Sequence, residues 1–469
     1  MSKRLPATTA PGLLELFSTA FDHLFSKRNQ RDAFRQYLAN LLLPTERNKT
    51  LTALANTEPV VGAQQPRAQQ LQWFLSESTW DAKKVNQCRL SLLRADPSTA
   101  PTATGVLVID ETGDRKAGTK TAHIGRQYLA NLGKIDNGVV SVTSLWADER
   151  LYYPLEVEPY TPAQWFAQGK ADPDFHTKPQ IALQLVQQAV AAGMPFRAVV
   201  ADSLYGEHDG FRTGLHKLEV GFVLALKSSH AWWHPADQLG SLQDIAAAAS
   251  WHNAEQPGPW VALTRSFRDG HIETWWALEV TGGPYGSAKI HRAVVVTTDP
   301  TTLPEMSTWY LISNLPVPDS ERAKTAGMRA ASLEEIVRLY GLRMWVEQSY
   351  KQIKGALGWA EYQVRSDQAI QRHWSLVCCA FTFCWWHASH TAAGAQLSEV
   401  TRDGVEPPEG PSEPAVEKKN GHQGTPAPMC ILASRIAASS SLVGAVDNAW
   451  AVLASVVDPS TAFGPSAVA

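Results

Sequence analysis

The sequence predicts an α/β protein with a mixed sheet, preceded by a helical region and interrupted by a β-rich insertion. Three observations carry this. Apolar residues recur at three- and four-residue steps from residue 12 to about 95. After residue 105 the pattern changes to short Val-rich runs with a helix pattern between two of them, as strands alternating with helices give. From 228 to about 316 strand-like runs follow one another with only turns between. At roughly 150 residues per domain, 469 residues imply about three domains.

In chain order, LLELFSTAFDHLF, RDAFRQYLANLLL, AQQLQWFLSES and VNQCRLSLL form a helical region over 1–95. Its first 50 residues hold eight Lys or Arg against four Asp or Glu, so it is a candidate for binding DNA, or else a packing domain with a solvated face. ADPSTAPTATG is a linker by composition. GVLVID, GVVSVTSLW, FRAVVAD and GFVLALK are strands of the 105–227 segment, and KPQIALQLVQQAVAAG is a helix ending at Gly193. WVALTRSF, HIETWWALEV, KIHRAVVVTT and TWYLISNL make the β-rich insertion, 228–316. Helices return over 317–392, where Ser332 and Glu335 fit a capping box. WSLVCCAFTFCWW, 374–386, is too short to span a bilayer and predicts a buried core helix, so no membrane partner is expected. Residues 393–428 read as a solvated linker and 429–469 as a C-terminal helical element.

Composition excludes several classes. The formal net charge of -3 gives no global basic signal, so any nucleic-acid site must be a local patch. Five cysteines, unevenly placed, argue against a disulfide scaffold and fit a reducing cytoplasm, the expected location. His230 with His234, and His387 with His390, lack the Cys or His pair that would complete a tetrahedral zinc site.

Two acids end apolar runs: Asp110 after VLVI and Asp202 after AVVA. In a sheet such acids can meet at one edge, where α/β sites lie, although each taken singly is an ordinary turn or cap position. Tyr340, Arg343, Glu347, Lys351 and Lys354 follow at steps of three, four, four and three, one stripe along a helix. The alternative is a solvated face with an i,i+4 pair between Glu347 and Lys351.

The segment YGLRMWVEQSYKQIK carries the spacing Y-x2-R-x3-E-x6-K. With it the chain resembles bacterial DDE insertion-sequence transposases of the Tn-five-like branch, and VLVIDETGDRKAGTKTAHIGRQYLANLGKIDNG and VVADSLYGEHDGFRTGL are similar to the segments around that family's first two aspartates. The resemblance spans roughly residues 20 to 390. It implies an RNase H-like catalytic core in which Asp110, Asp202 and Glu347 are catalytic and hold two Mg²⁺ ions, with Mn²⁺ able to substitute. It implies that Tyr340, Arg343 and Lys354 contact phosphates near the scissile bond; Lys351 is added from the stripe. It further implies double-stranded DNA as partner, in transposon ends and target, and a homodimer on that DNA, with the C-terminal helices as candidate contact.

Arg115, Lys116, Lys120, Arg126 and Lys134 face one acid, Asp114, over 113–134, a candidate DNA-facing patch in which Lys120 and Arg126 are the residues to test. Glu111 points away from Asp110 on a strand and reads as structural, and Asp209 reads as a helix cap. Seventeen tryptophans are unusual. By the same resemblance one in the β insertion could hold a flipped base, with Trp232, Trp233, Trp275 and Trp276 as candidates. The function that follows is end binding, cleavage and strand joining; a DNA-binding derivative without transposition is the alternative.

Overall fold

The structure is a computed structural model, and it describes residues 12–402 apart from 45–46, 235–237, 268–270, 281–282 and 285–290. The predicted C-terminal helical element, the dimer contact assigned to it and most of the predicted linker lie outside the described residues.

Five helices open the chain: α1 (Leu13–Thr19), α2 (Arg28–Leu42), α3 (Leu51–Leu54), α4 (Pro66–Ser76) and α5 (Ala82–Ala95). Asp81 caps α5 by accepting from Lys83 and Lys84 N–H groups, and Pro66 starts α4 where a missing N–H costs nothing. The sheet follows. β1 (Val106–Arg115), β2 (Gly125–Leu129), β3 (Lys134–Ala147) and β4 (Tyr152–Tyr160) are joined by antiparallel ladders, β3 pairing with β1, β2 and β4. Helix α6 (Lys178–Ala191) crosses over to β5 (Ala198–Ala201), which runs parallel to β1. Then come α7 (Ser203–Gly206), α8 (Asp209–Lys217) and β6 (Phe222–Leu226), parallel to β5. The order β4-β3-β1-β5-β6 is the RNase H-like arrangement that the resemblance implies.

The expected β-rich insertion joins the core sheet, apart from three short strands. β9 (Val261–Ser266), β10 (Ile272–Val280), β12 (Arg292–Thr297) and β13 (Thr308–Ser313) continue the same sheet beyond β6, in the order β6-β13-β12-β10-β9. Among the described residues that sheet has ten strands. Pairing β13 to β6 satisfies an edge of N–H and C=O groups that would otherwise stay open. β7 (Ala231–His234), β8 (Gln238–Ser241) and β11 (Gly283–Pro284) form a small separate sheet, with α9 (Leu242–Ala248) behind β8.

Five strands, β2, β4, β7, β8 and β11, were not legible in sequence. β2 is short and half exposed, and β4 contains Pro154 and Pro159. Proline lacks the ladder donor and is tolerated because β4 is an edge strand paired only with β3.

After β13 come α10 (Glu321–Thr325), α11 (Leu333–Gly341), α12 (Met344–Gly355) and α13 (Asp367–Arg402). Ser332 accepts from the Glu335 N–H, but the Glu335 carboxylate goes to Arg197 and Arg329, so the box is only half made. The predicted single helix after Ser332 breaks at Leu342 and Arg343. Helix α13 runs ten residues past the predicted start of the linker, to 402, through helix-favouring Ala, Gln and Leu.

The 374–386 stretch is the buried centre of α13, as expected, and Cys378, Cys379 and Cys384 are free, buried thiols in it. No described helix is long and apolar enough to cross a membrane. Helices α2, α4 and α5 pack around α13. Polar staples fix that packing. The Tyr37 hydroxyl lies 2.8 Å from His373 Nδ1. Arg372 donates to the carbonyls of Leu75, Ser78 and Trp80, and Arg89 donates to those of Pro154 and Leu155.

Candidate active site

The first two acids meet because of strand register. β1 and β5 are parallel, with Val106 beside Ala198 and Ile109 beside Ala201. The next residues are Asp110 and Asp202, so the two lie side by side, Asp110 midway along β1, which runs on to Arg115, and Asp202 just past the carboxyl end of β5. Asp110 is buried, and its Oδ1 accepts from the Glu111 N–H at 2.8 Å. Asp202 also caps α7, accepting from the Leu204 N–H at 3.0 Å. The cap and the site are therefore one residue.

Helix α12 brings the third acid. Arg343, at its N-terminus, reaches between all three carboxylates. Its Nη2 is 3.0 Å from Asp110 Oδ2 and 3.9 Å from Asp202 Oδ2, and its Nη1 is 3.3 Å from Glu347 Oε1. Glu347 is the solvent-facing member, with its side chain 65% exposed. The Glu347–Lys351 pair of the alternative reading is not formed among the described residues, because Glu347 turns back one turn to Arg343 instead.

Electrostatics follow from this geometry. Burial pushes the Asp110 carboxyl above the ordinary Asp range; Arg343 opposes that shift and the nearby Asp202 adds to it. Burial also disfavours the Arg343 charge, but Asp110, Tyr340, Asp202 and Glu347 outweigh it and raise its pKa. Tyr340 is pushed up to about 12, mainly by burial, and meets Trp309 edge to face at 5.1 Å. Beneath the acids, the Tyr350 hydroxyl is 2.5 Å from Thr143 Oγ1, and Thr143 is the cross-strand partner of Asp110.

The other expected residues are placed as follows. Lys351 is exposed, one turn beyond Glu347. Lys354 turns inward: its Nζ is 2.8 Å from Asp114 Oδ1 and donates to the Gly113 carbonyl at 2.9 Å. Its ammonium therefore docks on β1 at Asp114, four residues past Asp110, and not beside the three acids. In the 113–134 patch Lys120 and Arg126 are exposed. Arg115 and Lys134 lie 3.3 and 3.8 Å from Asp136. Lys116 leaves the patch: it donates to the Ala360 and Tyr362 carbonyls with its Nζ 3.3 Å from the Tyr362 ring centroid, an aromatic seat 246 residues away that no local pattern signals.

Among the decoys, Glu111 pairs with Lys178 at 2.6 Å. Asp209 is not the cap of α8; the His208 ring accepts from the Phe211 N–H, and Asp209 pairs with Arg212. His230 pairs with Glu207. Of the four candidate tryptophans, Trp232, Trp275 and Trp276 are buried and Trp233 is partly exposed. Trp275 packs on Trp309 at 4.8 Å, which links it to Tyr340.

One acid within β1, one just past β5 and one on α12, sharing a cation, form a set of hard oxygen donors. Among the described residues, no three His, Cys, Asp or Glu side chains are already drawn together enough to ligate one ion, since Arg343 stands between the acids.

Comparison with known proteins agrees with this architecture. A family model described as DDE superfamily endonuclease matches residues 20–275, and one described as transposase DDE domain matches residues 177–383. The chain is 31% identical over 361 residues to the probable transposase for insertion sequence element IS701 of Microchaete diplosiphon, covering 76% of this chain and 83% of that protein. From the fold, the three clustered acids and these matches, the chain belongs to the DDE superfamily of endonucleases and is a DDE-type transposase.

Proposed function

We propose that this transposase binds the terminal inverted repeats of its element, cleaves DNA at the ends and joins the 3′-hydroxyls to target DNA, with Asp110, Asp202 and Glu347 as its catalytic acids. The observation that carries the assignment is the convergence of these three carboxylates on one guanidinium. A site that holds a cation among three carboxylates suits divalent ions of the Mg²⁺ kind, which take hard oxygen ligands. The superfamily implies divalent-metal dependence in general; the identity as Mg²⁺ (or Mn²⁺) and the number, two, are part of this proposal. Bound there, the ions would activate a water or 3′-hydroxyl and stabilise the leaving oxygen of an in-line displacement.

The protein's own residues supply the rest. Asp110 is fixed by its strand and the Glu111 N–H, and Asp202 by its cap, so two of the donors are preorganised. Glu347 is exposed and free to adjust. Arg343, released from the acids, offers a planar fork suited to a phosphate oxygen pair. Tyr340 walls that side, and Lys351 adds a mobile charge toward the DNA. Lys120 and Arg126 extend the contact along the duplex, and the helices of 12–95 are assigned to end recognition. Lys354 acts through Asp114, holding α12 on β1.

The test uses labelled DNA flanking the gene. It is incubated with the wild type and with Glu347→Gln, each with Mg²⁺ and with EDTA, and scored for cut and joined products. Products only from wild type with metal are expected. Unchanged cleavage by Glu347→Gln removes that residue from the set, and tight binding without cleavage under any metal would identify a DNA-binding protein without transposition.

A further inference from the structure

Arg265 is a half-buried arginine on β9, the outermost strand of the large sheet. Its guanidinium carbon lies 4.3 Å from the Trp275 ring centroid, 4.5 Å from that of Trp309 and 4.8 Å from that of Phe267. Its cross-strand neighbour is Glu273, the obvious ion-pair partner. That carboxylate is otherwise engaged: it accepts from Trp275 Nε1 at 2.7 Å and lies 3.4 Å from His271 Nε2. Among the described residues no carboxylate lies within salt-bridge reach of Arg265 and no acceptor bonds it. Burial lowers its pKa to about 10, which still leaves it charged at neutral pH.

A charge drawn partly out of water is normally paired. Here rings cover the faces of the guanidinium, while its N–H edge, the part that recognises an oxyanion, is unpaired. The cage also fixes its direction. Trp309 packs on Tyr340, and a Cβ at Gly341 would lie 3.3 Å from Arg265 Nη2. The guanidinium thus stands against the chain two residues before Arg343. A glycine at 341 leaves that approach open.

We propose that Arg265 is a further phosphate-binding residue, taking a DNA backbone phosphate beside the one at the three acids, with Trp275, Trp309 and Phe267 holding it in place. This rests on the reading of the acids as the reaction centre. It gives the β insertion a direct part in gripping the cleaved strand. Arginine suits this task better than lysine, because its rigid fork can be clamped by rings and still present parallel donors.

The experiment is equilibrium binding of a fluorescein-labelled duplex from the gene flanks to the full chain, without metal, across a salt series. Arg265→Met keeps apolar contact with the rings and removes the charge; it is expected to weaken binding about tenfold. The salt slope should fall by about 0.9, the value for one duplex phosphate. Arg265→Lys should restore the slope but only part of the affinity. Gly341→Ala, which crowds the guanidinium, should weaken binding with Arg265 intact, and covers the case in which Arg265→Met fails to fold. Wild-type affinity and slope in both Arg265→Met and Gly341→Ala would overturn the proposal. So would tighter binding by Arg265→Met, which would mean that the rings take a base in place of the guanidinium. Cleavage by Glu347→Gln is scored separately, so loss of the acid assignment and loss of this phosphate contact are distinguishable.

Discussion

Lys354→Met separates two roles that one residue could play. The helical stripe places Lys354 with the phosphate-binding residues, whereas the structure ties its Nζ to Asp114 at 2.8 Å. The Asp114 side chain is 2% exposed and that of Lys354 19%. Breaking a buried pair by removing one partner costs about 3–5 kcal/mol, because the other charge is left in low dielectric. Water still reaches Lys354, so the lower end applies, and Lys354→Met should lose about 3 kcal/mol at neutral pH. The pair also pins the second half of α12 to β1, and Glu347 lies seven residues earlier on the same helix. Cleavage should therefore fall together with stability. Asp114→Asn combined with Lys354→Met removes both charges and should recover most of the loss. The assay is a denaturation double-mutant cycle run beside cleavage and DNA affinity. If Lys354 acts through Asp114, the double variant regains stability, cleavage and DNA affinity together. Recovered stability with DNA affinity still reduced would refute this reasoning and return Lys354 to the phosphate. A stable Lys354→Met would refute the pairing itself.

Three further outcomes are expected. Arg343→Gln removes the cation that the three acids share, so its Tm should rise more on adding Mg²⁺ than that of wild type; equal gains in a thermal-shift series would mean that Arg343 does not occupy the metal position. A Cβ at residue 206 would lie 1.7 Å from the Ala225 carbonyl oxygen, so Gly206→Ala must displace α7, the helix that Asp202 caps. It should cost about 1–3 kcal/mol and lower cleavage far more than DNA affinity, and unaltered turnover would show that Asp202 does not depend on α7. The His123 hydrogen bond holds the Asp367 carboxyl below its ordinary value of 3.8. A carboxylate lowered on folding stabilises above the unfolded value and loses that contribution as pH falls through the folded one. Acid denaturation below about pH 4 should therefore be less steep in His123→Gln than in wild type, and superimposable acid limbs would dismiss the link.

Local periodicity carries a good part of this protein. The three- and four-residue steps put Arg343 and Glu347 one turn apart, and the structure joins them. The break at Leu342 leaves Tyr340 on the preceding helix without removing it from the same side. The apolar run ending at Asp202 marks a strand end, whereas the one ending at Asp110 stops midway along β1, which runs on to Arg115; the Val-rich core strands are where the pattern puts them.

What periodicity does not encode is the partner. Asp110 lies beside Asp202 because β1 and β5 pair in one register, a choice made by contacts 92 residues apart. Lys354 goes to Asp114, Lys116 to the Tyr362 ring, and Arg265 among rings from β10, β13 and the residue just after β9. None of these is visible in spacing, since each side chain would look equally solvated on its own element. The run of strands in the β insertion does not show in sequence what it pairs with; four of its strands extend the catalytic sheet, because an open edge at β6 leaves backbone groups to satisfy. Helices α2, α4 and α5 read as an independent unit, yet they enclose α13, since the apolar centre of that helix needs cover on every side. Sequence thus determined the elements and the chemistry they carry. Tertiary structure decided which charges meet, because burial and pairing are set between segments far apart in the chain.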